Sequence, residues 1–193
     1  GTLSSTSLTF TPSNWNTPQS LMLTGVDDAL ADGNITYTIT ATGSGGGYDG
    51  VTATITVTNA DNDTPGIVVA PTNITTGEDG SSASFTVVLA SQPSSDVLVT
   101  FSGVDTTEGS LSSASLTFTP ATWNTPQSVT VTGVDDSAAD GDVTYTITAT
   151  GSGSGYDNLS ATVTVTNIDN DTAGIVVSPA SITTGEDGSS ATF

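Results

Sequence analysis

The side chains of this sequence that could do chemistry are carboxylates. The segment GVDDSAADGD (133–142) places four aspartates within ten residues, and GVDDALADGN (25–34) repeats the arrangement with three. The 193 residues include 20 Asp and Glu but no Lys, Arg or His, so the formal net charge is −20. Because like charges this close disfavour the ionised form and no cationic side chain can relieve them, the pattern predicts a bound cation.

The composition excludes several classes of function. A chain without Lys or Arg cannot neutralise nucleic-acid phosphates or bind an anionic membrane surface. There is no cysteine and no apolar run long enough to span a bilayer, so we expect neither thiol chemistry nor membrane insertion in this segment. No catalytic base or nucleophile remains beyond the carboxylates, and we predict that the protein is not an enzyme.

An internal repeat organises the whole chain. Residues 1–85 align without a gap on residues 109–193, and 63 of these 85 positions are identical. LTFTPSNWNTPQS (8–20) becomes LTFTPATWNTPQS (116–128), for example. A unit of 108 residues is too long for one turn of a solenoid and suits a complete small domain. The sequence is therefore predicted to be a tandem array of domains.

Short runs of alternating apolar and polar residues predict strands separated by Gly-, Asp- and Ser-rich turns. The predicted strands of one repeat are 66–70, 83–90, 96–102, 115–119, 127–134, 143–150 and 159–167. Seven such strands indicate an all-β fold of tandem seven-stranded antiparallel β-sandwiches, of the immunoglobulin-like type. We predict a complete domain at 65–172, the last four strands of a preceding domain at 1–64, and the opening strands of a following one at 173–193.

If the strands alternate in direction, the acidic turns meet at one end of the sandwich. The candidate ligands of the complete domain are Glu78, Asp105, Glu108, Asp135, Asp136, Asp140, Asp142, Asp169 and Asp171. A matching partial cluster is expected from Asp27, Asp28, Asp32, Asp61 and Asp63. Ca²⁺, which takes about 6–8 oxygen ligands, fits such a set best, whereas Mg²⁺ prefers a tight octahedron and Zn²⁺ prefers His and Cys. The alternative is a solvated acidic loop.

The motifs of the repeat resemble those of the Calx-beta domain. ITTGEDGSSASFTVVLA (74–90), SLTFTPATWNTPQSVTVTGVDDSAADGDVTYTITAT (115–150) and TVTVTNIDND (162–171) carry the resemblance. It implies a calcium-binding β-sandwich of the kind found in the regulatory loop of sodium–calcium exchangers and in long bacterial surface proteins. The amino-acid sequences of these motifs are more similar to those of the bacterial cell-surface or secreted proteins than to those of the exchangers. The resemblance implies calcium ligands at Glu78, Asp135, Asp136, Asp169 and Asp171, and less directly at Asp105 or Glu108.

Three functions are open at this level. The near-identical tandem copies favour a structural role, as a calcium-stiffened segment of a long extracellular or cell-surface filament or adhesin extender. Its expected partners are the neighbouring repeats, with lateral self-association of chains into fibres as a further expectation. A calcium-sensing regulatory module is the second function. A carbohydrate-binding module is the third, and it would use Trp15 and Trp123, although such a Trp more often covers the end of its own core.

Overall fold

The computed structural model describes residues 1–193 and is built entirely from β-strands and loops. No helix is present that is long and apolar enough to cross a membrane. Four strands precede residue 65: β1 (Thr2–Leu3), β2 (Leu23–Thr24), β3 (Ile35–Thr42) and β4 (Thr52–Asn59). The pairs β1–β2 and β3–β4 are antiparallel and form separate two-stranded sheets.

Residues 65–172, the central domain, fold into a two-layered sandwich of nine strands. They are β5 (Ile67–Ala70), β6 (Asn73–Gly77), β7 (Ser82–Leu89), β8 (Val97–Ser102), β9 (Gly109–Leu111), β10 (Ser115–Phe118), β11 (Gln127–Gly133), β12 (Val143–Ser152) and β13 (Ser160–Ile168). One sheet has the order β10-β8-β12-β13-β6 and the other the order β5-β7-β11-β9. The predicted all-β sandwich is confirmed.

The period-two pattern of each strand places its apolar side chains between the two sheets. In β11 the side chains of Val129 and Val131 are fully buried, while the intervening threonines are partly exposed. Fifteen buried apolar residues form one continuous core, which includes Phe85 in edge-to-face contact with Phe101 at 5.7 Å between ring centroids. A core of this kind fixes the register of the strands and hence the positions of the loops that join them.

Two features of the sandwich differ from the sequence prediction. The first predicted strand is followed by a second one, β6, which crosses to the other sheet and pairs in parallel with β13. The prediction of a purely antiparallel sandwich is therefore wrong at this edge. Strand β9 was also not predicted, because three residues (Gly109–Leu111) are too few to show alternation. Pro71, which has no backbone N–H to donate, lies between β5 and β6 where the chain changes sheet.

The directions of the seven predicted strands nevertheless alternate along the central domain, as the prediction of an acidic end requires. In the five-stranded sheet β8 is antiparallel to both β10 and β12, and β12 is antiparallel to β13. In the four-stranded sheet β7 is antiparallel to β5 and β11, and β11 to β9. Consequently the β6–β7, β8–β9 and β11–β12 connections and the exit from β13 lie at the same end of the sandwich.

The segments on either side of the central domain form less structure. Residues 1–64, called the head segment below, hold the four strands β1–β4 and no closed sandwich. Residues 173–193 contain no strand. The division of the chain into parts of three successive repeats stays a prediction.

Candidate metal centre

Four connections bring carboxylates together at one end of the central domain. This cluster, the acidic pole, consists of residues that fall into three groups whose ligand atoms lie within 4.8 Å of one another. The groups are Glu78 with Asp135 and Asp171, Glu78 with Asp140 and Asp169, and Glu108 with Asp136 and Asp140. Seven of the nine carboxylates predicted for the complete domain are thus brought together, and Glu78 belongs to two of the groups.

Glu78 is buried because the parallel register of β6 and β13 carries it beneath the chain that leaves β13. Gly77 is paired with Ile168, and the backbone N–H of Glu78 donates to the carbonyl of Ile168 at 3.1 Å. The Glu78 side chain is only 3% exposed, and its Oε2 accepts a hydrogen bond from the backbone N–H of Asn170 at 3.1 Å. A carboxylate this deeply buried needs a compensating partner.

Electrostatics oppose the ionisation of Glu78. The hydrogen bond from the Asn170 N–H lowers its pKa, but desolvation and the charges of Asp169, Asp136 and Asp171 outweigh that bond. The net result is a pKa above the ordinary value for a glutamate. A cation seated among these carboxylates would remove the cause of the shift, because its charge favours the ionised form.

Asp169 is the best hydrogen-bonded carboxylate of the pole. Its Oδ1 accepts from the backbone N–H of Asp171 and its Oδ2 from that of Gly141, both at 2.7 Å. These backbone hydrogen bonds lower the pKa of Asp169. They also tie the exit of β13 to the β11–β12 loop, so the ligands of these two connections are positioned by each other.

One buried carboxylate oxygen of the pole lacks any hydrogen-bond donor. Oδ2 of Asp171 is buried and has no hydrogen-bond partner, although Asp171 belongs to a group with Glu78 and Asp135. A buried acceptor without a donor is costly. A hard cation between these three carboxylates would satisfy it.

Glu108 is the second buried acid of the pole, at 5% exposure. Its Oε2 accepts from the side-chain amide of Asn167 at 3.2 Å, and that amide also donates to the carbonyl of Val134. Oδ1 of Asn167 accepts from the hydroxyl of Thr76 at 2.9 Å. Asn167 and Asn170 were not predicted from the sequence. Asn170 lies within the DND motif and Asn167 lies two residues before it, and this proximity is the signal that could have indicated them.

Two predicted ligands lie outside the three groups. Oδ1 of Asp105 accepts from the hydroxyl and the backbone N–H of Thr107, and these bonds lower its pKa. Asp142 accepts from the backbone N–H of Asp169 at 3.2 Å. Asp105 thus supports its own turn and Asp142 supports the exit of β13, so each has a local structural role.

A buried phenol also faces this end of the domain. The hydroxyl of Tyr145 has no hydrogen-bond partner, and burial together with the charges of Asp105 and Glu108 raises its pKa. The phenol is therefore kept in its neutral form and can serve as a hydrogen-bond donor.

The glycine that both copies of the GVDD motif share has a steric role. A Cβ at Gly133 would overlap the carbonyl oxygen of Gly77, so the start of the acidic loop packs directly against the end of β6. A Cβ at the equivalent Gly25 would lie 2.6 Å from Oδ1 of Asn59. Only glycine permits this approach, which places Asp135 and Asp136 next to Glu78.

The head segment forms the same network a second time. Its five predicted carboxylates, Asp27, Asp28, Asp32, Asp61 and Asp63, line one cleft. Oδ2 of Asp61 accepts from the N–H of Gly33 at 2.7 Å and its Oδ1 from that of Asp63 at 2.8 Å, which reproduces the bonds of Asp169. The pKa of Asp63 is raised by desolvation and by the charges of Asp61, Asp27 and Asp28.

The aromatic residues considered for carbohydrate binding differ in placement. Trp123 is half-buried against the core, and its carbonyl accepts from the N–H of Leu89. Trp15 is 69% exposed. The indole of Trp123 thus packs against the core of its own domain.

No protein-family model matches the chain, and no curated protein sequence matches it. Among solved structures, the apo-form Calx CBD1 domain covers 55% of this chain and 98% of that one, with 21% identity and a TM-score of 0.44. CBD12 from CALX1.2 covers 54% of this chain and 45% of that one, with 19% identity and a TM-score of 0.43. The periplasmic chaperone SfaE covers 59% and 60%, with 8% identity and a TM-score of 0.44. Such distant likenesses establish neither family nor function, and the sandwich rests on its own strands.

Proposed function

We propose that the acidic pole of the central domain binds Ca²⁺. The observation that carries this proposal is the burial of Glu78 and Glu108, at 3% and 5% exposure, in a chain with no cationic side chain. Burying a carboxylate without a partner is expensive, and the unpartnered Oδ2 of Asp171 adds to that cost. The atoms available to coordinate a metal are all carboxylate oxygens, which are the ligands that hard cations prefer.

The residues that would hold the ion are those of the three groups. Glu78 would be shared, with Asp135 and Asp171 on one side and Asp140 and Asp169 on the other, while Glu108 and Asp136 complete the set. Bound Ca²⁺ would supply positive charge and oxygen coordination, and it would connect the β6–β7 turn, the β11–β12 loop and the exit of β13. Its role would therefore be structural.

We further propose that the chain is part of a calcium-stiffened structural polymer of extracellular repeats. The repetition of the Asp169 network at Asp61 supports the idea that each repeat presents the same acidic end to its successor. Only residues 169–173 separate the end of β13 from Gly174, the position equivalent to the start of the first predicted strand at Gly66. So short a connection cannot act as a long flexible tether.

Calcium binding can be tested by titration calorimetry on the whole chain with Glu78→Gln and Glu186→Gln. The two residues occupy the same motif, GEDGSS, but Glu78 is buried in the pole and Glu186 is exposed. We expect Glu78→Gln to weaken the tightest site by roughly tenfold or more, which is what loss of even an outer-shell partner costs. Glu186→Gln should leave the affinity unchanged. Absence of calcium binding by the unmodified chain, or an equal loss in both variants, would contradict the proposal.

A further inference from the structure

The acidic loop of the head segment contacts the central domain at the end opposite the acidic pole. The carbonyl of Ala29 accepts a hydrogen bond of 2.7 Å from the backbone N–H of Gln92, and Leu30 forms a parallel β-bridge with Gln92. Leu30 lies in a cleft that is also lined by Pro65 and Tyr156. The contact therefore combines one directional backbone bond with one apolar side chain.

The turn that receives this loop is held rigidly by its own domain. The hydroxyl of Tyr156, which is 1% exposed, donates to the carbonyl of Ser91 at 2.6 Å and lies 2.8 Å from the hydroxyl of Ser91. The side-chain amide of Gln92 donates to the carbonyl of Pro120 at 2.8 Å. The side chain is thus directed back into the central domain, and the backbone N–H of Gln92 remains for an outside acceptor. A receiving turn fixed in this way binds with little loss of entropy.

The donating loop is also held, and its conformation recurs in the central domain. Oδ1 of Asp28 accepts from the N–H of Leu30 at 2.9 Å, just as Oδ1 of Asp136 accepts from the N–H of Ala138. The acidic loop therefore has the same local turn in both copies, whether or not another domain is in contact with it.

Exposure distinguishes the two copies. Residues 29–31 are partly buried, whereas residues 137–139, their equivalents, are all exposed. The local turn is the same, so contact with the central domain accounts for the burial of residues 29–31. The second copy also carries Ala138 where the first has Leu30, and a smaller side chain would bury less apolar surface in the same cleft.

We propose that the tip of the acidic loop, residues 29–31, is a docking element that fixes the following repeat through the backbone N–H of Gln92. Residue 30 is its anchor, and the identity of this residue sets the strength of each junction between repeats. A junction with leucine is tighter than one with alanine, so joints along a chain of near-identical repeats differ in stiffness. The contact consists of a backbone hydrogen bond and the packing of an apolar side chain. Docking therefore does not itself require a metal ion.

The test uses amide hydrogen exchange of the whole ¹⁵N-labelled chain, followed by NMR. Leu30→Ala gives the first loop the anchor of the second, and Ala138→Leu makes the reciprocal change where no domain is docked. We expect exchange of the Gln92 amide to become roughly tenfold faster in Leu30→Ala, from the loss of a partly buried side chain. In Ala138→Leu it should stay unchanged. The Leu89 amide, which is bonded to the Trp123 carbonyl within the domain, serves as an internal reference.

A second measurement exploits the absence of cysteine from the sequence. The double variant Leu30→Cys/Gln92→Cys should form an intramolecular disulfide on mild oxidation, because bridge partners lie within the range that a disulfide spans. Ala138→Cys/Gln92→Cys should stay reduced in dilute solution. Equal Gln92 exchange in Leu30→Ala and the unmodified chain, or equal oxidation of the two cysteine pairs, would overturn the docking proposal. Both readouts can be taken in chelator, so a failure of calcium binding is distinguishable from a failure of docking.

Discussion

The backbone N–H of Asn170 donates to Oε2 of Glu78 at 3.1 Å, although 92 residues separate them in sequence. The bond joins the β6–β7 turn to the chain that leaves β13, and it satisfies one oxygen of a nearly buried carboxylate. The rest of the surroundings of Glu78 is acidic, with Asp135 and Asp171 in one group and Asp140 and Asp169 in the other. The pole is therefore held in shape by hydrogen bonds while its charges oppose one another.

This opposition predicts a pH-dependent stability in chelator. The pKa of Glu78 is raised in the native state, so the native protein holds this proton more tightly than the unfolded chain does. The free energy of unfolding should therefore fall as pH rises from the ordinary glutamate value of 4.5 through the native pKa, and then level off. Urea denaturation at a series of pH values, in chelator, would measure it.

Glu78→Gln isolates the contribution of this one group. Above pH 4.5 the free energy of unfolding of the variant should fall less than that of the unmodified chain, because Glu78 no longer contributes to the fall. In chelator at neutral pH the variant should therefore be the more stable protein. With Ca²⁺ the order should reverse, because the ion favours the ionised carboxylate that only the unmodified chain offers. A decline of equal size in both proteins would show that Glu78 is not its source.

Tyr156 and Tyr48 allow a matched test of the opposite end of the domain. The hydroxyl of Tyr156 satisfies the buried Ser91, whereas Tyr48, its equivalent in the head segment, is 64% exposed. Tyr156→Phe leaves the Ser91 carbonyl and hydroxyl without this partner and should destabilise the central domain by about 1–3 kcal/mol. Tyr48→Phe should change its stability by less than about 0.5 kcal/mol. Chemical denaturation of both variants in calcium checks this, and similar values would contradict it.

The sequence predicts the local turns of this protein well but does not predict which of them are buried. In GEDGSS, Oδ1 of Asp79 accepts from the N–H of Ser81 at 2.9 Å, and Oδ1 of Asp187 accepts from that of Ser189 at 3.0 Å. The same six letters therefore form the same turn. Yet Glu78 is buried and Glu186 is exposed, because only Glu78 lies against the end of β13.

The other misses have the same physical origin. Strand β6 is added by its parallel pairing with β13, a contact across most of the domain that no short pattern encodes. Asp105 stays a predicted ligand, and Oδ1 of its carboxylate accepts two hydrogen bonds from Thr107 two positions later. Alternation of strand direction, which follows from short connections, was sufficient to predict which end of the domain is acidic.

Asn167 should be essential to the pole, because it bridges Glu108, the Val134 carbonyl and Thr76 while only 1% exposed. Asn167→Asp would replace a donor to Glu108 with a second buried carboxylate. We expect a loss of at least about 2 kcal/mol in chelator, from the removed donor and the added charge. Asn73→Asp, at an exposed position on β6, is the control and should have little effect. Thermal or urea denaturation of the two variants would distinguish them, and a neutral Asn167→Asp would show that the bridge is dispensable.

The last prediction concerns the joint between the head segment and the central domain. Three carboxylates of the head cleft, Asp27, Asp28 and Asp32, belong to the same loop as the docking tip 29–31, and Asp61 and Asp63 line the cleft from the chain that leaves β4. Repulsion among these charges therefore acts on the loop that forms the junction. Asp63 has a raised pKa from desolvation and from Asp61, Asp27 and Asp28, which shows that these charges oppose one another. Docking can form without the ion, but bound Ca²⁺ would cancel that repulsion and so strengthen the junction.

We therefore expect chelation to leave the strand content nearly unchanged, because the core does not depend on the ion, while the joint becomes more variable. Small-angle X-ray scattering of the whole chain should give a maximum dimension that differs between calcium and chelator, and circular dichroism should report the constant strand content. Asp61→Asn/Asp63→Asn should weaken this response to calcium, since it removes two of the five carboxylates of the head cleft. Asp49→Asn is the matched control, because Asp49 lies outside that cleft and accepts from the N–H of Gly45 within its own loop. A maximum dimension that is the same in calcium and chelator would mean that these aspartates do not set the joint, and the stiffening role proposed for calcium would be wrong.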